Sequence, residues 1–179
     1  MRDSGVDMPQ TLDRIFLEAS TKTLEQLVSR IRDCAGKLST DEIWARGHEN
    51  ENAIGNLVLH LNGNVRQWIL SGVGGAPDTR TRDAEFAARG GTERAELVER
   101  LESTVREAIA VLGKVPPGRL EQRVTIQKYD LTVMEAIFHV VEHFSQHTGQ
   151  ILFATKMLTG EDLGFYKHLK AAAHAEKTP

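Results

Sequence analysis

The run from Thr132 to about Leu158 constrains the fold more than any other part of the chain. It opens on Thr132-Val133-Met134-Glu135, a capping-box pattern, contains no proline, and can continue as one helix until Gly160. Its apolar residues lie on nearly every side. Val133, Ala136, Ile137, Val140, Phe144 and Ile151 fall on one face, and Met134, Phe138, Val141 and Leu152 on another. A helix apolar all round must be central in its fold, or else be covered by a second subunit on the face that one core leaves bare. Three further helical periodicities surround it in sequence. From about Thr11 to Lys37 the apolar positions Leu12, Ile15, Phe16, Ala19, Leu24, Leu27, Val28, Ile31 and Cys34 keep a three-and-four spacing. A second stripe, Ile54, Leu57, Leu61, Val65 and Trp68, lies between a candidate cap at Asn52 and a stop at Gly72. Thr92 opens a third helix, with Leu97, Leu101, Val105, Ala108, Ile109 and Leu112 facing inward.

The pattern predicts an all-α four-helix bundle in a single domain over residues 1–179, with its core at about 10–160. The aromatic count agrees: Trp 2, Tyr 2 and Phe 6 leave burial to aliphatic side chains, which suits packed helices. Between the helices, Ser39-Thr40-Asp41-Glu42 offers another capping box, and Trp44 is placed to plug one end of the core. The stretch from Val73 to Gly91 reads as a long polar connection carrying Arg80, Arg82 and Asp83. Val124 to Gln127 alternates like a strand, but a lone strand has nothing to pair with, so it is expected to be extended rather than part of a sheet.

Charge and composition exclude several classes of function. Lys+Arg 22 against Asp+Glu 25, a formal net charge of −3, lacks the basic footprint of a nucleic-acid binder. No apolar run approaches the ~20 residues of a membrane span. The single cysteine, Cys34, cannot close a disulfide within the chain and fits the packing stripe of the first helix. Met1 to Gln10 has no apolar run like a signal peptide's core, so a cytoplasmic protein is expected. The tail after Lys167 is expected to fray, and His48, His168 and His174 to be solvated.

Chemistry concentrates in the histidines. His139, His143 and His147 recur every four residues, so they stack along one face of the last helix, drifting about 40° per step. His143 and His147 fall within the stripe of Ala136, Val140, Ile151 and Ala154, facing the bundle interior, while His139 sits at its edge. Buried imidazoles need partners, and one metal ion satisfies several at once. His60, on the second helix, can face the His143/His147 pair across the core. Three neutral imidazoles with solvent in the remaining position form the pattern of a catalytic rather than a closed site.

The segment His143-Phe144-Ser145-Gln146-His147-Thr148-Gly149-Gln150, preceded by Asn56-Leu57-Val58-Leu59-His60, resembles the DinB-like superfamily of damage-inducible metal-binding four-helix bundles. The resemblance spans most of the chain, to Leu158, and lies with a branch of unassigned function. It implies an up-down-down-up bundle, usually a homodimer, with His60, His143 and His147 as ligands to a divalent metal ion such as zinc or nickel. It also implies the activity of some members, thiol-dependent isomerases or transferases working with a low-molecular-weight thiol and a small electrophilic substrate. The other reading of the same site is a non-enzymatic metal- or ligand-binding bundle used in stress response.

A rival motif overlaps the first. His139-Val140-Val141-Glu142-His143 is formally the HxxEH signature of inverted zinc peptidases, with Glu142 as general base. Those enzymes take a further carboxylate ligand from a later helix, and beyond His143 the only glutamates are Glu161, past the helix end, and Glu176, in the tail. Asn64 and Gln150, each one turn from a candidate ligand, are candidates for orienting a bound water or substrate, with solvent-facing amides as the alternative. Arg66, Arg80 and Arg82 are candidates for an anionic substrate at the site mouth. Surface pairing with Asp83 or Glu85 is the competing role.

Overall fold

The computed structural model describes residues 11–167; His168, His174, the rest of the tail and Met1 to Gln10 lie outside the described residues. The elements are α1 (Leu12–Ala35), α2 (Thr40–Trp44), α3 (Ile54–Val65, continued by a π-helical segment Arg66–Val73), α4 (Arg82–Ala87), α5 (Arg94–Leu112), β1 (Arg123–Ile126), β2 (Tyr129–Thr132) and α6 (Val133–Thr159). Both predicted capping boxes form, Ser39 with Glu42 at α2 and Thr132 with Glu135 at α6, and Gly160 ends α6 in a left-handed conformation at φ 68°.

The long helices α1, α3, α5 and α6 make the bundle, with α1 and α3 each packed between α5 and α6. Their directions follow from contacts at the ends. Arg94, at the start of α5, donates to Leu38 O just past α1, and Asp13, at the start of α1, accepts from Gly118 N beyond α5, so α1 and α5 are antiparallel. Lys37 meets Glu161 at 2.5 Å, which brings the C-terminal ends of α1 and α6 together. Along α3 from His60 to Trp68, the α6 partner falls from His143 to His139, so these two run opposite ways. Trp44 Nε1 donates to Thr92 O where α3 and α5 begin, and Gly74 lies against Val111 where they end. The order is up-down-down-up.

Apolar periodicity produces the core. Leu24 and Ile31 of α1, Leu61 and Ile69 of α3, Leu101 and Leu112 of α5, and Ile137 and Phe144 of α6 are wholly buried. Cys34 is buried among them, as the packing stripe predicts. Leu12 and Ile15 are exposed instead, at 81% and 47%, while Phe16 and Leu17 in the same stretch pack against the core. On α6, Met134, Phe138, Phe153 and Met157 are exposed, while Val141 and Leu152 are partly buried against the core.

Two connections differ from the sequence expectation. The stretch from Val73 to Gly91 is not a loop throughout: it contains α4 and straps across α3 rather than over the bare face of α6. The buried Asn56 fastens it, its Nδ2 donating to Glu85 O (2.8 Å) and Ala88 O (3.0 Å) while its Oδ1 accepts from Ala53 N and Arg46. The segment expected to be merely extended is a strand, because Tyr129–Thr132 folds back on it as a two-stranded antiparallel hairpin. Gln127 (φ 51°) and Lys128 (φ 71°) make its two-residue turn with φ positive at both positions, where Asn-Gly is the usual signal. Their side chains concealed it.

Candidate metal centre

The antiparallel crossing of α3 and α6 brings three imidazoles to one point. His60 Nε2 lies 3.1 Å from His143 Nε2, and His147 Nε2 lies 3.2 Å from the same atom. His60 is buried; His143 and His147 are half-buried, so the cluster sits at the edge of the core and open on one side. Ligands about 2.0–2.1 Å from a tetrahedral ion stand roughly 3.3–3.4 Å apart, close to these separations. Among the described residues these three form the one His/Cys/Asp/Glu group whose donor atoms could hold a metal ion.

The other ring nitrogens determine where the protons are. His60 Nδ1 lies 2.9 Å from Glu85 Oε2, and His147 Nδ1 lies 2.6 Å from Gln150 Oε1. Both partners are acceptors, so both imidazoles carry their proton on Nδ1 and direct a bare Nε2 lone pair at His143. One Nε2–H on His143 cannot serve both. His143 Nδ1 is itself buried without a partner, as are Asn64 Oδ1 and Trp68 Nε1. Converging Nε2 lone pairs that a single N–H cannot satisfy are what a cation resolves and what protein hydrogen bonds alone leave strained.

Burial also favours the neutral form of the two α6 rings. His143 is pushed down to about 3, first by desolvation and then by the neighbouring imidazoles. His147 is lowered by burial, against the opposing hydrogen bond to Gln150. Glu85 behaves oppositely: burial acts to raise it, but the hydrogen bonds from Arg80 and His60 prevail and hold it below the ordinary carboxylate range. Arg80 donates from Nε to Glu85 Oε1 (2.7 Å) and from Nη2 to Glu85 Oε2 (2.8 Å), both side chains being almost wholly buried.

The remaining candidates separate. Gln150 reaches His147, as placed, while Asn64 is buried rather than solvent-facing. His139 does not join the donor cluster; its ring lies tilted against Trp68 at 4.1 Å and against His143 at 5.4 Å, and Glu142 is exposed and bonded to Gln146. The structure therefore brings His143 together with His60 and His147 rather than building a centre from the HxxEH run. The three arginines do not share one mouth. Arg80 is in a buried pair with Glu85 instead of a surface one; Arg66 is half exposed, 3.8 Å from Glu107. Both line a cavity of about 410 Å³ on the outer side of α3 that none of the three imidazoles lines. Arg80 also reaches the cluster, its Nη2 3.1 Å from His60 Nδ1, while Arg82 comes near it through Phe86: its guanidinium is 4.9 Å from that ring's centre, and the ring packs on His60 at 4.6 Å. Glu85 and Phe86 were the residues that sequence reasoning missed as neighbours of the site. The signal for them was weak: a short apolar-acidic run inside a polar connection.

Comparison with known proteins bears on the family and the fold. The family described as "Protein of unknown function (DUF1572)" matches residues 11–170. No curated protein matches the chain. Among solved structures, a conserved protein from Enterococcus faecalis is similar at TM-score 0.65 and 14% identity, over 80% of this chain and 97% of that one. A DinB-like protein (YjoA) from Bacillus subtilis is similar at TM-score 0.63 and 15% identity, over 83% and 97%. A variant of the mycothiol-dependent maleylpyruvate isomerase is similar at TM-score 0.55 and 11% identity, covering 75% of this chain and 60% of that one.

Proposed function

The chain belongs to the DUF1572 family and has the DinB-like fold, and from that premise we propose that it is a divalent-metal-dependent thiol S-transferase whose ligands are His60, His143 and His147. The observation that carries this is the convergence of three Nε2 atoms, with two of the rings fixed by acceptors at Nδ1. Zinc or nickel suits an imidazole donor set. When bound there, such an ion supplies Lewis acidity, lowering the pKa of a thiol or water at its remaining position.

The chain's own groups divide the other tasks. Gln150 and Glu85 hold protons on the outer nitrogens of His147 and His60 and so keep the inner ones free. Asn64 Oδ1, buried one turn beyond His60 and without a partner, is available to a bound molecule. Phe86 gives an apolar wall, and Arg82 beside that ring a cation for an anionic group on a small electrophile. Cys34 is buried in the core, so the thiol comes from a small molecule. One structural neighbour is a mycothiol-dependent isomerase, which supports a low-molecular-weight thiol as cosubstrate. We also propose a homodimer through the exposed face of α6 around Met134 and Phe138.

The test starts with metal analysis of the purified protein and of the His60→Ala, His143→Ala and His147→Ala variants, each expected to lose the ion. The zinc- or nickel-loaded protein is then given a panel of small thiols with electrophilic acceptors, and its rates are compared with those of His147→Ala. Bound metal with equal rates for the two proteins favours a non-enzymatic metal-binding bundle.

A further inference from the structure

The strap between α3 and α5 reaches into the centre through one carboxylate. Glu85 accepts three N–H groups on two oxygens: Arg80 Nε on Oε1, and Arg80 Nη2 and His60 Nδ1 on Oε2. An ionised carboxylate only accepts, so a contact of 2.9 Å to His60 Nδ1 requires the proton to be on Nδ1. Arg80 Nη2 also stands 3.1 Å from that nitrogen; the two are donors sharing Oε2, not bonded to each other. We propose that Glu85, clamped by Arg80, is a positioning residue that fixes His60 in its Nδ1–H tautomer and so makes His60 Nε2 a standing lone pair aimed at His143 and His147.

The clamp is held from several sides. Arg80 donates from Nη1 to Gln67 Oε1 (2.9 Å), and its backbone N–H is bonded by Asp78 Oδ1 (3.0 Å). Asn56, one turn before His60, ties the backbone of Glu85 to α3. Gly63 provides the room: a Cβ there would lie 2.8 Å from Glu85 Cδ and 2.9 Å from Arg80 Nε. Outer groups that orient a ligating imidazole through its second nitrogen set both its tautomer and its basicity. The purpose of the device rests on the three-histidine metal reading above; the tautomer itself does not.

The experiment uses 15N NMR of the histidine rings in the full-length, metal-free protein, together with zinc affinity by chelator competition. In the native protein His60 is expected as the Nδ1–H tautomer. Glu85→Gln keeps the shape but offers one acceptor oxygen in place of two. With that oxygen bonded to Arg80, the amide NH2 faces His60 Nδ1, and the ring moves its proton to Nε2. Zinc binding should weaken by about 10- to 100-fold. A native His60 in the Nε2–H form overturns the proposal, and this result does not depend on the variant folding. A folded Glu85→Gln protein with an unchanged tautomer and unchanged zinc affinity also overturns it. If His60 switches in Glu85→Gln but the native protein binds no zinc, the positioning role stands and the metal reading falls.

Discussion

Substitution of Gly63 by Ala tests how tightly the strap is built onto α3. At an unconstrained position inside a helix, Gly→Ala stabilises by about 0.8–1.0 kcal/mol through propensity. At Gly63 the added methyl would meet Glu85 Cδ at 2.8 Å and Arg80 Nε at 2.9 Å, and Glu85 Oε1 closer still. Neither group is a free side-chain end that can swing away, because both are almost wholly buried and bonded to each other. Moving the carboxylate sacrifices one or two charge-assisted hydrogen bonds, each about 1.5–3 kcal/mol. Subtracting the propensity gain leaves a net destabilisation of about 0.5–5 kcal/mol. For a chain of this length that lowers Tm by roughly 2–4 °C per kcal/mol. The assay is thermal and urea denaturation of the metal-free protein, with zinc competition alongside, which should show about tenfold weaker binding once His60 loses its fixed partner. Gly149→Ala supplies the contrast, since a Cβ there meets nothing within 4 Å in the single chain and should stabilise it. A Gly63→Ala protein as stable as the native one, with unaltered zinc affinity, would refute the reasoning.

His139→Ala should keep its metal while losing stability, since His139 packs on Trp68; loss of metal equal to that in His143→Ala would put it among the ligands. Acid should destabilise the metal-free protein early. His143 at about 3, with His139 and His147 lowered by burial, stays neutral in the fold while the unfolded chain takes up protons below the ordinary value of 6.5. Stability is therefore complete above about pH 6.5 and falls as pH drops towards 3, and His143→Ala should flatten the slope; a denaturation series with no such slope counts against neutral, buried rings. Light scattering at micromolar concentration should give twice the 19.9 kDa chain mass, and Phe138→Glu should give the single-chain value; a monomeric native protein removes the homodimer.

Long-period features were legible and tertiary ones were not. The α6 periodicity predicted a bundle, and helical phase put His143 and His147 on its inward face, while His60, beside the second stripe, was named as their partner by being on a facing helix and by the family resemblance. Phase says nothing about a strap. Arg80 and Glu85 sit in a polar stretch where charged residues are ordinarily solvated, and only docking onto Gly63 and Asn56 makes them buried partners. The hairpin escaped for a local reason, since Gln127 and Lys128 adopt a turn conformation their side chains do not favour. Asn52 was a sound cap by composition, but the helix begins at Ile54, with Asn56 reaching back to Ala53 N in its place.

The π-helical turn from Arg66 to Val73 divides α3 into two angular frames. Each i→i+5 turn takes up roughly one residue more than an α-turn, and Trp68, Ile69 and Leu70 lie buried in it. His60 is set by the frame before the wide turn. Trp68, which carries His139, and Gly72, against which Ile126 packs, are set by the frame after it. Removing a single residue within 66–73 would let the wide turn close to an α-helical path, drawing the second frame about 1.5 Å nearer while leaving its direction close to the present one. The Trp68 contact with His139 and the seat of the hairpin would then be kept along with the aim of His60. The same deletion before Arg66, in the α-helical part, would instead turn everything after it by about 100°.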